Sequence, residues 1–443
     1  FQAEDGIRDS VASRGLGDVY KRQPVHRASA GPDPQSAVST LAPSLRRDTQ
    51  VMGLVGLAHA SSHFFHLVLP PLFPILKQEF DVSYAQLGLL PGLFFAASGV
   101  MQIISGFLVD QFGARRVLLA GLVLLSISML LCGLVSEFWM LIPLAVVGGI
   151  GNSVFHPADL AILTDKVSRP RLGRAYGIHA LSGNLGWAGA PVFIMTVVQF
   201  SDWRTALVLA GCVGFAVLLV LLLSGTELVE SARHTVSTRH PQVTAGENVR
   251  MLLSPTVVSC FLYFTFLSTA LIGIQTFGVT AMVQIYSVPL TLATTGLALF
   301  LVASGVGVVC GGFAADWTDR HDVITMSGMT LGGVIFFIIG SSAISPSMLI
   351  PALIIAGFVA GTTTPSRDML VRKVTPEGAS GRVFGFVYSG LDLGSCLIPL
   401  ILGWVLDYGS APAVFYIIGS MLLVTVLTVV NLRRYVPVRH YSV

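Results

Sequence analysis

Between residues 51 and 432 the chain runs through twelve predominantly apolar stretches: 51–76, 84–109, 115–136, 138–164, 173–199 and 203–224, then 256–284, 290–315, 323–344, 347–371, 382–405 and 411–432. Each is long enough to cross a bilayer, for which a helix needs roughly 20 apolar residues. Hydrocarbon offers no water to backbone N–H and C=O groups, so such stretches are expected as helices that satisfy their hydrogen bonds internally. Composition supports the reading. Charged residues make up 11% of the chain, against about 25% in soluble domains, which excludes a soluble globular fold. The expected fold class is an all-α integral membrane protein with twelve transmembrane helices in two six-helix pseudo-symmetric bundles.

The organisation reads as a disordered tail (1–50), a first bundle (51–224), a linker (225–255), a second bundle (256–432) and a short tail (433–443). The opening "FQAEDGIRDSVASRGLGDVYKRQ" mixes charges without an apolar core of signal-peptide length. It resembles a translated sequencing-adapter read-through, and the first two dozen residues carry no functional expectation. Lys and Arg gather on one set of connections, among them Arg115, Arg116, Lys166, Arg169, Arg171, Arg174, Arg372 and Lys373; the opposite connections hold only Lys77 and Arg204. The positive-inside rule then places both termini in the cytoplasm. The net charge of +3 reflects this topology, and no soluble basic face exists to bind nucleic acid. Cys132, Cys212, Cys260, Cys310 and Cys396 all lie in apolar spans without metal-ligand or disulfide spacing.

The two halves repeat each other. "GFLVDQFGARR" at Gly106 returns 206 residues later as "GFAADWTDR", which aligns Asp110 with Asp316. "GRAYGIHALSGNLGWAGAP" at Gly173 returns 208 residues later as "GRVFGFVYSGLDLGSCLIP", which aligns Asn184 with Asp392. Offsets of this length indicate duplicated bundles. Parallel repeats place a substrate site near the membrane midplane, between the halves.

The stretch Gly106-x-x-x-Asp110-x-x-Gly113-x-Arg115-Arg116 resembles the loop motif between the second and third helices of the major facilitator superfamily. "GIGNSVFHP" (149–157) and "SGNLG" (182–186) resemble signatures of the fosmidomycin resistance protein family. The resemblance implies the major facilitator fold from Met52 onward and a secondary active transporter of the bacterial plasma membrane, monomeric and without cofactor. Its partners would be a small-molecule substrate, protons and the lipid bilayer. It also implies that the first, fourth, seventh and tenth helices line the cavity. Two departures from drug-exporter patterns stand out: Ala190, Phe193 and Ile194 replace glycines of the antiporter motif, and the fourth helix lacks an Arg-x-x-Gln-Gly motif. Proton-coupled export of a small organic compound or drug leads. Proton-linked import of a small organic anion, and a transporter-like sensor, stay open. No nucleophile–base pair, phosphate loop or metal motif points to an enzyme or to ATP-driven transport.

Candidate residues follow from polarity in apolar surroundings. Asn152, His156 and Asp159 recur at helical spacing on one face of the fourth helix. Pro157 denies the carbonyl of Ser153 its helix partner. That face must turn into the bundle, because intramembrane ionisable groups face protein or water. Asp392, at the centre of the eleventh helix, is the first candidate to carry a coupling proton and His156 the second; a structural hydrogen-bonded role is the alternative for each. His59, His63 and His66 share the same spacing on the first helix. A metal site there is disfavoured, since one helix presents its ligands in a line and no Asp or Glu accompanies them. His63, nearest mid-helix, is expected to face the cavity with Asn152, Asn184 and Arg367, while His59 and His66 pack. Asp159 and Arg367, at matched depth in the two halves, form a candidate cytoplasmic latch. Arg367 alternatively grips a substrate anion, and Asp368 pairs with Arg372 one turn on. Asp110, Gly106, Gly113, Arg115, Arg116 and Asp316 belong to the expected cytoplasmic gate, with Asp110 near the start of the eleventh helix at Arg382.

Overall fold

The computed structural model describes residues 45–224, 228, 250–374 and 380–434; the side chains of 374, 380–382 and 384 fall outside that description. The tail 1–44, nearly all of the linker, residues 435–443 and the Arg382 side chain therefore lie outside the described residues. Among the described residues twelve helices are long and apolar enough to cross a membrane, from Leu45–Phe80 to Ala411–Arg433. The first begins at Leu45, six residues before the apolar run. Asp48, fully buried there, accepts hydrogen bonds from Ser168 Oγ (2.6 Å) and Arg171 Nε (2.7 Å), which ties this extra turn to the loop before the fifth span.

Two spans are broken where the sequence removes backbone donors. In the first, Pro70 and Pro71 divide Leu45–His66 from Phe73–Phe80. In the fourth, Leu141–Asn152 gives way to Phe155–Lys166 across Ser153 and Val154. This is the turn whose carbonyl Pro157 leaves without an N–H. Ser153 Oγ bonds Ile150 O (2.7 Å) and Ser105 Oγ (2.8 Å), so the interruption is held by neighbours.

The halves meet along the second and eleventh spans and along the fifth and eighth. On the side poor in Lys and Arg, the second and eleventh spans run backbone against backbone. A Cβ added at Gly88 would sit 2.2 Å from Pro399 O, and one at Gly403 would sit 2.4 Å from Tyr84 O; only glycine permits that approach. Asp407 closes this end, accepting the N–H groups of Tyr84 (2.9 Å) and Ala85 (2.8 Å) at the start of the second span. Gln284 Nε2 donates to Tyr84 OH (3.1 Å), and the Phe277 ring packs on Phe73 and Tyr84.

Toward the basic side the same face of the second span comes apart from its partner. Ile103 is 73% and Phe107 72% exposed, and nothing lies within 4 Å of a Cβ added at Gly106. A groove of about 460 Å³ opens there, lined by Ile103, Gly106, Phe107, Val109, Asp110, Pro157 and Ala161. Gly106, expected in the cytoplasmic gate, borders open space in this conformation. The bundle is shut on the sparse side and open on the basic side.

Candidate functional site

The first, fourth and fifth spans converge on a cluster of imidazoles. Their backbones come close because the fifth span offers glycine at the contact. A Cβ on Gly186 would lie 2.1 Å from Ala60 O, and one on Gly183 would lie 2.6 Å from His63 Nδ1. The space so left is filled by rings. His59 stacks on His179 with centroids 3.6 Å apart, and His63 lies 4.3 Å from His59 and 4.2 Å from Trp187. His156 stands 5.2 Å from His59.

Two polar networks hold the cluster. In one, Trp187 donates Nε1–H to His66 Nδ1 (3.2 Å). Indole is a donor only, so His66 carries its proton on Nε2 and donates it to Asn152 Oδ1 at 2.9 Å. The same oxygen accepts Ser62 Oγ (2.6 Å), and Asn152 Nδ2 donates to Ser98 Oγ (2.9 Å). In the other network, His179 Nε2 donates to Asp159 Oδ2 (3.1 Å), and His59 Nδ1 lies 3.2 Å from that oxygen. Asp159 is fully buried, and among the described residues no Lys or Arg pairs with it. Asp159 Oδ1, His59 Nδ1 and His63 Nδ1 are buried without a hydrogen-bond partner. His156 is the exposed edge of the cluster, and the next residue, Pro157, lines the open groove.

Several expectations change here. The first-helix histidines do have a carboxylate, Asp159, which arrives from 100 residues away in sequence. All three join one cluster, and His63 is more enclosed than His66. Asn152 sits in a closed hydrogen-bond network. His179, Ser62, Ser98, Trp187 and Asp407 were not singled out from sequence. For His179 a signal existed: with Gly183, Gly186 and Trp187 it forms a helical face of small residues and rings.

In the second half, Arg367 Nε donates to Asp368 Oδ1 (2.9 Å), and its guanidinium lies 4.7 Å above the Phe264 ring. Tyr388 OH donates to the same oxygen (3.3 Å). Asp368 thus pairs with Arg367 and Tyr388, not with Arg372. The structure does not bring Asp159 and Arg367 together, and each is engaged within its own half. Gly113 turns the chain at φ 89° between the second and third spans. Asp110 and Asp316 are exposed on the open side, as is Arg116; Arg115 is half-buried with its Nε unpaired.

Asp392 occupies a distinct position. It faces Gly99, where an added Cβ would lie 3.2 Å from its own Cβ, whereas Gly106, two turns nearer the basic side, meets nothing within 4 Å. Among the described residues it has no hydrogen bond or ion pair. Its repeat mate Asn184 faces Gly305, the repeat mate of Gly99, at 3.6 Å. The two inter-half seams therefore carry symmetric contacts, one through a neutral amide and one through a carboxyl.

Two duplicated six-helix halves, a span broken beside a buried polar cluster and a groove open on the basic side describe a two-bundle membrane protein. Residues 55–343 and 281–442 match the Major Facilitator Superfamily, and the chain belongs to it. It is a membrane transporter and not an enzyme. It is 24% identical over 409 residues to the fosmidomycin resistance protein of Escherichia coli, covering 90% of this chain and 97% of that protein. To a multi-drug resistance efflux pump PmrA homolog of Lactococcus lactis it is 25% identical over 393 residues, covering 85% and 93%. Among solved structures it is similar to a bacterial homolog of the human lysosomal transporter Spinster in an inward-facing, unoccupied conformation. The TM-score is 0.67 at 18% identity, covering 89% of this chain and 96% of that one.

Proposed function

We propose that this transporter is a proton-coupled exporter of a small organic compound, acting by alternating access in the bacterial plasma membrane. Both termini are read as cytoplasmic, so the open basic side faces inward. The observation that carries the reading is Asp392, a carboxyl without a partner among the described residues, set against Gly99 on the seam between the halves. A charge within the membrane costs several kcal/mol unless water or a counter-charge meets it. Rocking of the halves about this point alternately hydrates and encloses the carboxyl, so proton gain and loss follow the cycle. The neutral Asn184 at the symmetric seam leaves only one side able to carry that proton.

Export is supported by the relatives named for fosmidomycin and multidrug resistance. Arg367, near the open side with its guanidinium on Phe264, is read as a partner for an anionic group of the substrate. Asp159 belongs to the histidine cluster in this reading, and His156 is the cluster residue that meets the cavity. Proton-linked import is the second reading; Ala190, Phe193 and Ile194, in place of antiporter-motif glycines, favour it.

The test is transport in proteoliposomes, with fosmidomycin and a panel of antimicrobials as substrates. Asp392→Asn is expected to abolish movement driven by an imposed pH gradient while leaving energy-independent counterflow. Gradient-driven transport at the parent rate would end the coupling role. The sign of the gradient that drives accumulation separates export from import.

A further inference from the structure

We propose that His59, His156, His179 and Asp159 form a binding site for one divalent transition-metal ion of the zinc type. One ring nitrogen from each of the three histidines lies within 4.8 Å of the others. His59 Nδ1 and His179 Nε2 both approach Asp159 Oδ2, at 3.2 and 3.1 Å. Three imidazole nitrogens can hold zinc, and Asp159, beside two of the rings, would supply a fourth, carboxylate ligand once the cluster contracts. Imidazole donors suit zinc, cobalt, nickel and copper, whereas calcium and magnesium call for oxygen alone.

The electrostatics ask for a cation. Asp159 is fully buried within the fourth span, and among the described residues no Lys or Arg pairs with it. Its Oδ1 and His59 Nδ1 are buried without hydrogen bonds, so donor capacity in the cluster is unspent. A divalent ion would use His59 Nδ1 and would offset the carboxylate charge. Metal–nitrogen bonds of about 2.0–2.1 Å set neighbouring donors roughly 3.3 Å apart, so the cluster must contract. His156 is the exposed member, and rotation of its ring toward His59 would supply that movement. The groove beside Pro157 gives the ion an entry path. Gly183 leaves room for the rings of the opposite wall, since a Cβ there would strike His63 and His59 at 2.6 and 3.0 Å.

The inference stands apart from Asp392 and proton coupling, because binding is measured without a gradient. The full chain, purified in detergent, freed of any polyhistidine tag and stripped with chelator, is titrated with Zn²⁺ by calorimetry and with Co²⁺ by visible absorption. The expected result is one equivalent per chain, a tetrahedral Co²⁺ spectrum, no competition from excess Mg²⁺, and weakening at acid pH as protons take the imidazoles. His156→Ala and Asp159→Asn should each weaken binding at least tenfold. His156 lies at the exposed edge, so its variant keeps the test decisive even if Asp159→Asn does not fold. Absence of a stoichiometric site, or parent-like affinity in His156→Ala, would overturn the proposal.

Discussion

Asp407→Ala should shift this transporter out of the conformation described above. The carboxylate reaches from the end of the eleventh span to the first N–H groups of the second, at 2.9 and 2.8 Å, and so caps a helix of the opposite half. Three contributions disappear with it. A carboxylate cap is worth about 0.5–2 kcal/mol, its charge against the helix N-terminus adds about 0.3–1 kcal/mol, and the half-exposed Lys77 at 3.8 Å adds under about 1 kcal/mol. The sum is about 2–3 kcal/mol, and tenfold corresponds to about 1.4 kcal/mol. The population ratio of the two conformations should therefore move by about 30- to 150-fold. Asp407→Asn keeps an acceptor and loses the charge, so roughly half that energy is expected. Spin labels at Gln86 and Tyr408, both exposed at this end, would report the separation by double electron–electron resonance in nanodiscs with the native cysteines replaced. A parent with one short distance and an Asp407→Ala variant with a second, longer one is the expected pair. Identical distance distributions would refute the cap as the closing element.

Other outcomes follow from the same geometry. His156→Ala should remove transport at an unchanged amount of membrane protein; retained transport at full expression would return His156 to a packing role. Gly186→Ala places a Cβ 2.1 Å from Ala60 O and should cost about 1–3 kcal/mol in overpacking, whereas Gly189→Ala, with nothing within 4 Å, should be tolerated; thermal unfolding in detergent compares them. Arg367→Lys should chiefly raise KM, and the exchange Asp159→Arg with Arg367→Asp should stay inactive, because Asp159 serves the histidines. Recovery of transport by the exchanged pair would instead restore the latch.

Much was legible in the sequence because membrane physics leaves few options. Apolar length gave twelve spans, and the absence of water in hydrocarbon made them helices. The 206- and 208-residue offsets revealed two halves, and Pro157 marked the break in the fourth span. Periodicity also showed that Asn152, His156 and Asp159 share a face. It could not show what that face meets. Helical spacing relates residues within one helix, whereas His59 and His179 meet where Gly183 and Gly186 let the fifth span close on the first, and Asp159 reaches both from the fourth. Asp407 had no local signature, since its partners are backbone N–H groups more than 320 residues away. Asp392 was visible as a charge in an apolar span, yet its place on the seam between the halves belongs to tertiary structure. That seam packs at the end poor in Lys and Arg, a choice that interhelical contacts decide and local sequence does not encode.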